Sequence, residues 1–124
     1  MKITLSNTEW KLMNKLWDEP PKTIMQLTRA LEEEAGWTKQ TIITMLSRLE
    51  AKGAVYFEQG ARAKLYFPAV TRRDAQKAET ESFLEKVYGG RLGLMMSAMV
   101  DSRSLTPEDI EELSEILKKA GEKP

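Results

Sequence analysis

The sequence predicts a mostly α-helical protein with one small β-hairpin, and three observations support this prediction. Six segments place apolar residues on one side of a 3.6-residue helical repeat, between recognisable start and stop residues. Two short runs rich in aromatic and β-branched residues flank a glycine in the middle of the chain. Three helices and then a hairpin wing are the order of a winged helix-turn-helix. The last three helices predict a carboxy-terminal helical dimerisation domain, so the predicted domains are residues 1–70 and 71–124.

The composition limits the chemistry that this chain can perform. Its 124 residues, 41% hydrophobic and 31% charged, suit one folded domain with an appendage or two very small domains. It has no cysteine and no histidine, which excludes disulfides, zinc fingers and Ser-His-Asp or Cys-His catalytic sites. We therefore predict no enzyme activity, no catalytic residue, no metal and no cofactor. An enzyme that uses only carboxylates, or a magnesium site, stays open, although no glycine-rich phosphate loop accompanies either.

The hydropathy of the chain predicts a cytoplasmic protein. No apolar run approaches the roughly 20 residues that span a bilayer. The first residues also lack the long apolar region of a signal peptide. On these grounds we expect no membrane partner.

Positive charge is concentrated in the middle of the chain, although the net charge is zero. Residues 1–70 carry 10 Lys and Arg against 8 Asp and Glu, a difference of +2, whereas residues 71–124 carry 9 against 11, a difference of −2. Residues 37–73, called here the basic window, hold seven basic residues against two acidic ones, a difference of +5. Because a local cluster of positive charge governs phosphate binding more than the whole-chain sum does, the basic window favours a nucleic-acid partner.

The first two helices have clear start and stop signals. Ser6 and Glu9 form a predicted capping box for the first helix, which two consecutive prolines at positions 20 and 21 end. Thr23 and Gln26 form a second capping box, and Gly36 suits the left-handed position just past the second helix. Each helix has one apolar side, so both are expected to pack on a common core.

The third predicted helix, residues 38–52, separates an apolar side from a polar side. The apolar side is a core face formed by Ile42, Met45, Leu46 and Leu49. The opposite side carries no carboxylate and is lined by Gln40, Thr41, Thr44, Ser47 and Arg48. Such groups can hydrogen-bond to base edges and phosphates without bringing negative charge near DNA. On its own, the pattern also fits any amphipathic surface helix.

The β-rich runs at 55–58 and 63–67 flank the turn 59–62 and predict a hairpin. The β-prone run 2–5 predicts a leading strand that pairs with it. In a winged helix-turn-helix the hairpin lies beside the DNA backbone or minor groove, which gives Arg62 and Lys64 a positioning role. The alternative is that these charges only protect a strand edge from aggregation. The predicted DNA-binding residues are Lys39, Gln40, Thr41, Thr44, Ser47, Arg48, Arg62 and Lys64.

Three amphipathic helices follow the hairpin and predict a dimerisation surface. Thr71 caps the first, the second begins near Leu92, and Thr106 with Pro107 opens the third, while the tail from Gly121 is expected to be disordered. Each helix buries little surface alone and would bury more against a second copy. We predict a symmetric homodimer built mainly from residues 71–120, with an interface that includes Leu84, Val87, Leu92, Met95, Met96, Met99, Ile110, Leu113 and Leu117.

Two copies of the third helix predict an inverted-repeat operator in double-stranded DNA, with half-sites about 10 base pairs apart or a multiple of that. Arg48 can reach guanine O6 and N7, Gln40 can pair with adenine, and the methyls of Thr41 and Thr44 can contact thymine methyls. Each good pair is worth roughly 1 to 3 kcal/mol of discrimination. The alternative is a winged-helix protein-interaction module that never binds DNA and whose third helix is covered by protein.

The chain also carries three motifs, LSxxEWxLMxxLW at 5–17, TIxTxLxRLxxKG at 41–53 and GxRxxxYxP at 60–68. Together these motifs resemble the penicillinase-repressor family, the BlaI/MecI/CopY group of bacterial transcriptional repressors. The resemblance covers about the first 70 residues by their letters and the helical tail by its pattern. It implies a winged-helix homodimer that represses its target on an inverted-repeat operator, with DNA contacts from Thr41, Thr44, Arg48 and Arg62.

Two signal-receiving motifs of the family are absent from this chain. Antibiotic-responsive members are cut at an Asn-Phe bond, where this chain reads SAMV at residues 97–100, and copper-responsive members carry Cys-x-Cys pairs. Neither a β-lactam nor a copper response therefore follows from the resemblance. The inducing signal, an inactivating protease or a small molecule, is not identified by these motifs.

Overall fold

The computed structural model describes residues 3–122 and divides into two compact units between Thr80 and Glu81. The first unit holds α1 (Asn7–Asp18), α2 (Ile24–Ala35), α3 (Lys39–Lys52), β1 (Val55–Gln59), β2 (Lys64–Pro68) and the first turns of α4 (Arg72–Tyr88). The second holds the rest of α4, α5 (Leu92–Asp101) and α6 (Pro107–Glu122). The predicted order of three helices, a hairpin and three further helices is confirmed.

Side chains satisfy the free backbone amides where the first three helices begin. Ser6 accepts the amide of Glu9, and the Glu9 carboxylate accepts the amide of Ser6 at 2.8 Å. Thr23 begins α2 with the same reciprocal arrangement. Thr38 accepts the amide of Thr41 at the start of α3. The capping boxes that the sequence predicted are therefore formed.

Left-handed glycines end α2 and α3. Gly36 has a φ of 69° and Gly53 a φ of 82°, a region that residues with a Cβ rarely adopt. The amide of each glycine donates to carbonyls in the last turn of its helix. The stop at Gly53 leads directly into β1, so the hairpin lies next to α3.

The hairpin is a two-stranded antiparallel sheet, with Val55 opposite Pro68 at one end and Gln59 opposite Lys64 at the other. A hydrogen bond from the amide of Gly60 to the carbonyl of residue 63, at 2.9 Å, closes the turn. The strands therefore begin and end within one residue of the predicted runs.

The predicted leading strand is wrong for residues 3–5, which form no strand, while Lys2 lies outside the described residues. Lys22 pairs with the hairpin instead. It exchanges two backbone hydrogen bonds with Tyr66, at 3.1 and 2.8 Å. The two prolines before Lys22 keep this segment out of a helix, and its backbone groups are free to pair with β2.

The core of the first unit lies between α1, α2 and α3 and is closed by the hairpin. Its largest fully buried side chains are Leu12, Met13, Leu16, Leu27, Leu31, Ile42, Leu46 and Leu49. The predicted apolar side of α3 is thus confirmed as a core face. Because helical geometry places the other side of α3 opposite that face, its polar residues point away from the core.

The first turns of α4 are attached to α1 by polar contacts within the first unit. The indole nitrogen of Trp17 donates to the carbonyl of Val70 at 2.9 Å. Arg72 donates to the carboxylate of Asp18 at 2.7 Å and to the carbonyl of Asn14 at 3.0 Å, and its guanidinium lies over the Trp17 ring. These contacts explain why the first unit extends beyond the hairpin.

The helices of the second unit leave their apolar side chains uncovered in a single chain, since no residue from 81 to 122 is buried. Large apolar side chains with 37 to 65% exposure are Phe83, Val87, Leu92, Leu94, Met99, Val100, Ile110, Ile116 and Leu117. The prediction of a disordered tail is wrong for Gly121 and Glu122, which continue α6; the last two residues lie outside the described range. No helix within residues 3–122 is long and apolar enough to cross a bilayer.

Candidate nucleic-acid interface

The polar side of α3 is a continuous exposed surface. We call the side chains of Gln40, Thr41, Thr44, Ser47 and Arg48 the α3 surface; Thr41 is half-buried and the other four are exposed. Gln40, Thr44 and Arg48 follow one another at one-turn spacing, so they align along the helix. They line a shallow groove of about 250 Å³ together with Thr41 and Met45.

The groups of the α3 surface differ in how far the fold already engages them. The hydroxyls of Thr38 and Thr41 are 3.2 Å apart, so the Thr41 hydroxyl belongs to the helix cap. Thr41 therefore offers mainly its methyl group to a ligand. Arg48, by contrast, forms no ion pair with any carboxylate of the described residues. Its guanidinium presents its fork of donors outward.

The hairpin approaches the start of α3 and brings two predicted lysines together. A groove of about 300 Å³ is lined by Thr23, Ile24, Met25, Lys39, Ala63 and Lys64. The Lys64 ammonium is also 4.2 Å from the centre of the Phe57 ring, which holds it against the hairpin. Arg62 is exposed in the turn. Neither Arg62 nor Ser47 lines either groove.

Two of the seven cations of the basic window are paired with carboxylates of the first unit, which lowers the unpaired positive charge expected at the surface. The Lys52 ammonium contacts the carboxylate of Glu9 and donates to the carbonyl of Thr4 at 2.8 Å. Arg72 is paired with Asp18. The other five basic residues against two acidic ones leave a difference of +3. The sequence could not show this loss, because the Lys52 contact with Glu9 joins residues 43 positions apart.

Glu9 is a buried carboxylate with several donors around it, and only 3% of the residue is exposed. Burial raises the pKa of the Glu9 carboxyl, but the hydrogen bonds from Lys52 and from the Ser6 amide outweigh it and hold the pKa below its ordinary value. Glu9 therefore stays ionised at neutral pH and joins the start of α1 to the end of α3.

Two exposed apolar residues adjoin this region and were not among the predicted site residues. Met25, in the first turn of α2, is 48% exposed, and Ile43 on α3 is 36% exposed. A signal for Ile43 was present in the sequence. Two consecutive isoleucines on a helix point about 100° apart, so a single narrow core face does not cover both.

The predicted dimer residues are all at least partly accessible in the single chain. Val87, Leu92, Met99, Ile110 and Leu117 are exposed, and the half-buried ones are Leu84, Met95, Met96 and Leu113. The surface of the second unit is therefore rich in apolar groups, a feature that often marks a protein contact site.

Comparison with known proteins identifies the family of the chain and agrees with its fold. The penicillinase repressor family model matches residues 5–119. The chain is 30% identical over 113 residues to a penicillinase repressor of Bacillus licheniformis, a match that covers 91% of this chain and 88% of that protein. It is 27% identical over 115 residues to the methicillin resistance regulatory protein MecI of Staphylococcus aureus (strain N315), covering 93% and 94%.

Solved structures of related proteins match the amino-terminal part of the chain. The DNA-binding domain of the repressor BlaI gives a TM-score of 0.54 at 29% identity and covers 60% of this chain and 93% of its own. The monomeric form of Bacillus licheniformis BlaI in complex with the blaP half-operator gives 0.53 at 30% identity, covering 59% and 90%. These matches confirm the predicted winged helix. The chain therefore belongs to the penicillinase repressor family, which consists of DNA-binding transcriptional repressors and not of enzymes.

Proposed function

We propose that this repressor binds an inverted-repeat operator as a homodimer, with the α3 surface in the major groove and the hairpin beside the DNA backbone. The α3 surface carries the proposal, because it is an exposed helix side without a carboxylate. Base edges in the major groove present donors, acceptors and thymine methyl groups. The amide, hydroxyl, methyl and guanidinium groups of the α3 surface complement all three.

The proposed role of each side chain follows from the donor, acceptor or methyl group that it can present to DNA. Arg48 donates to guanine O6 and N7, and Gln40 pairs with the adenine edge. Thr41 and Thr44 turn their methyl groups toward thymine, and the exposed Ser47 hydroxyl adds a hydrogen bond. The cations at the start of α3 and in the hairpin, Lys39, Arg62 and Lys64, bind phosphates and set the register of the protein on the duplex.

A relative supports the placement of the first unit. The BlaI protein of Bacillus licheniformis, 30% identical over the matched part, has been solved in complex with a half-operator. In that complex BlaI is in its monomeric form. We propose that the complete operator of the present chain accommodates two copies of the first unit.

The proposed dimer rests on the apolar side chains of the carboxy-terminal helices. Residues 81–122 include nine large apolar side chains with 37 to 65% exposure. Burying each square ångström of such surface contributes about 25 cal/mol, so pairing two copies is favourable. We assign DNA binding to residues 1–70 and dimerisation to residues 71–124. A repressor works where its operator is, so the proposed location is the cytoplasm.

Selection of bound duplexes from random oligonucleotides tests the proposal, together with sedimentation of the free protein. We expect the selected sequences to form an inverted repeat with half-sites about 10 base pairs apart or a multiple of that. Sedimentation should give twice the monomer mass. Selected sequences without symmetry, or a monomer at the concentrations that bind DNA, would contradict the homodimer. Weak binding that does not respond to salt would favour a protein-interaction module.

A further inference from the structure

An isoleucine at the edge of the α3 surface, Ile43, is partly exposed among polar residues. Ile43 is 36% exposed, whereas its neighbour Ile42 is fully buried. All of α3 lies within the described residues, and Ile43 is the only one of its large apolar side chains that is exposed. Ile43 is therefore covered over most of its surface by the first unit and offers the remaining third or so to a ligand.

The neighbours of Ile43 on α3 continue the α3 surface. Lys39 lies one turn before it and Ser47 one turn after it, while Gln40 lies three residues before it. All three are exposed polar residues. Glu50 lies two turns further along the same side, so the amino-terminal half of this side is the part that can approach phosphates. Ile43 belongs to that half and shares the environment of the proposed base-reading groups.

Resting on the proposed function, we infer that Ile43 contacts the methyl group of a thymine and makes the operator depend on thymine at one position of each half-site. An isoleucine side chain has no hydrogen-bond donor or acceptor. It can therefore gain free energy at a base edge only by covering apolar surface, and the thymine C5-methyl is the apolar group of the major groove. Against the amino group of cytosine, the same contact would remove a polar group from water without a partner.

The expected effect is that of one methyl group. Removing a buried methyl group costs about 0.8 kcal/mol, which at about 1.4 kcal/mol per tenfold corresponds to roughly fourfold weaker binding. Replacing thymine by deoxyuridine removes this methyl group and leaves every Watson-Crick and groove hydrogen bond in place. The substitution therefore isolates the contact.

The test is a deoxyuridine scan of the selected operator. Each thymine of one half-site is replaced in turn, and the dissociation constant is measured by fluorescence anisotropy at one fixed salt concentration. For the unmodified protein we expect at least one position at which binding weakens about fourfold. For Ile43→Ala, binding to the original operator should weaken by a similar factor, and deoxyuridine at that position should cause no further loss.

Thr44→Ser is the matched control, because it removes one methyl group from the neighbouring side chain and leaves Ile43 intact. It should retain the deoxyuridine effect at the position assigned to Ile43. The inference is overturned if no deoxyuridine substitution weakens binding of the unmodified protein. It is also overturned if deoxyuridine at the assigned position weakens binding of Ile43→Ala as much as it weakens binding of the unmodified protein. Both results leave operator binding itself intact, whereas failure to bind any selected duplex would overturn the proposed function and this inference together.

Discussion

Arg48 and Arg62 carry the same charge, but we propose that they contact different parts of the duplex. Arg48 lies on the α3 surface, one turn beyond Thr44, and its proposed contact is a base edge. Arg62 lies in the hairpin turn, and its proposed contact is the DNA backbone. Base contacts depend on the DNA sequence and phosphate contacts do not. Replacing Arg48 should therefore change the preference for operator over random DNA more than replacing Arg62 does.

Replacement of Arg48 by Ala should lower the preference for operator over random DNA by about tenfold, the effect of losing a bidentate pair worth roughly 1 to 3 kcal/mol. Arg62→Ala should weaken binding to both duplexes by similar factors. Competition binding with the two duplexes measures both effects. Arg29→Ala is the control, because Arg29 lies beside Glu32 and Glu33 on α2 and lines neither groove at the proposed interface. An unchanged operator-to-random ratio for Arg48→Ala would refute the base contact.

Lys52 acts on stability rather than on DNA, since its ammonium is held by Glu9. Lys52→Met should lower the free energy of unfolding by about 3 kcal/mol, because it leaves the Glu9 carboxylate buried without its cation. Urea denaturation of the full chain measures the change. Lys15→Met breaks the exposed pair of Lys15 with Glu34 and should leave the unfolding free energy nearly unchanged. Equal changes in the unfolding free energy for the two substitutions would show that the Lys52–Glu9 contact stabilises the fold no more than the exposed pair does.

Acid should reduce the contribution of Glu9 to the free energy of unfolding. Its carboxyl has a folded-state pKa below its ordinary value of 4.5, so its ionised form favours folding. This contribution is complete well above pH 4.5 and is lost as the pH falls through the folded-state pKa. In Glu9→Gln this pH-dependent part is absent. Between neutral pH and pH 3, the urea midpoint should therefore fall less for Glu9→Gln than for the unmodified protein. An equal decrease in the two proteins would contradict a lowered pKa of Glu9 in the folded state.

At the scale of the secondary-structure element, α3 has two sides that perform different tasks. Ile42, Leu46 and Leu49 are buried and fix the rotation of the helix about its axis. That rotation in turn presents the α3 surface outward. The Thr38 cap and the Gly53 stop fix the two ends, so the residues of the α3 surface have a defined position along the helix as well as around it.

Helix α6 offers the clearest test of the proposed dimer, because Leu117 is 65% exposed in the single chain. Leu117→Glu should shift the protein from dimer to monomer, since a carboxylate would be buried without a partner in the interface. Lys118→Glu introduces the same charge at the next position and should leave the dimer intact. Sedimentation measures the mass of both variants. Circular dichroism confirms that the helices are retained, and a dimeric Leu117→Glu protein would remove α6 from the interface.

At the scale of the whole molecule, the chain joins a first unit with a buried core to a second unit whose apolar side chains are accessible in the single chain. The net charge of zero hides this division, since the excess of positive charge lies in residues 1–70 and the excess of negative charge in residues 71–124. A strongly basic protein would bind any nucleic acid through its total charge. In this chain we expect the attraction to be strongest at residues 1–70, which carry the α3 surface and the hairpin.

Salt should weaken operator binding steeply if the three cations of each copy that are proposed to bind phosphates, Lys39, Arg62 and Lys64, replace counterions. The slope of log K against log salt concentration is about −0.9 for each phosphate contact, which predicts about −2.7 per half-site and about −5 for the dimer on a full operator. Titrations at several salt concentrations measure the slope. Arg62→Ala should reduce it by about 1 per half-site. A slope near zero would contradict an electrostatic interface.

The sequence by itself determined the helix boundaries and the outward side of α3. Capping pairs such as Thr23 with Gln26 act across three residues, and helical periodicity places Thr44 and Arg48 opposite the core without reference to the rest of the chain. Such local rules can be applied before the fold is known. The family resemblance then added the function.

Only the tertiary structure decided which groups meet across long separations. Lys22, and not the amino-terminal run, pairs with Tyr66 in the hairpin. Lys52 forms an ion pair with Glu9, which neutralises one cation of the basic window. These contacts join residues more than 40 positions apart in the chain, so no local pattern encodes them. They depend on how the helices pack, and packing is settled by the burial of the whole apolar core at once.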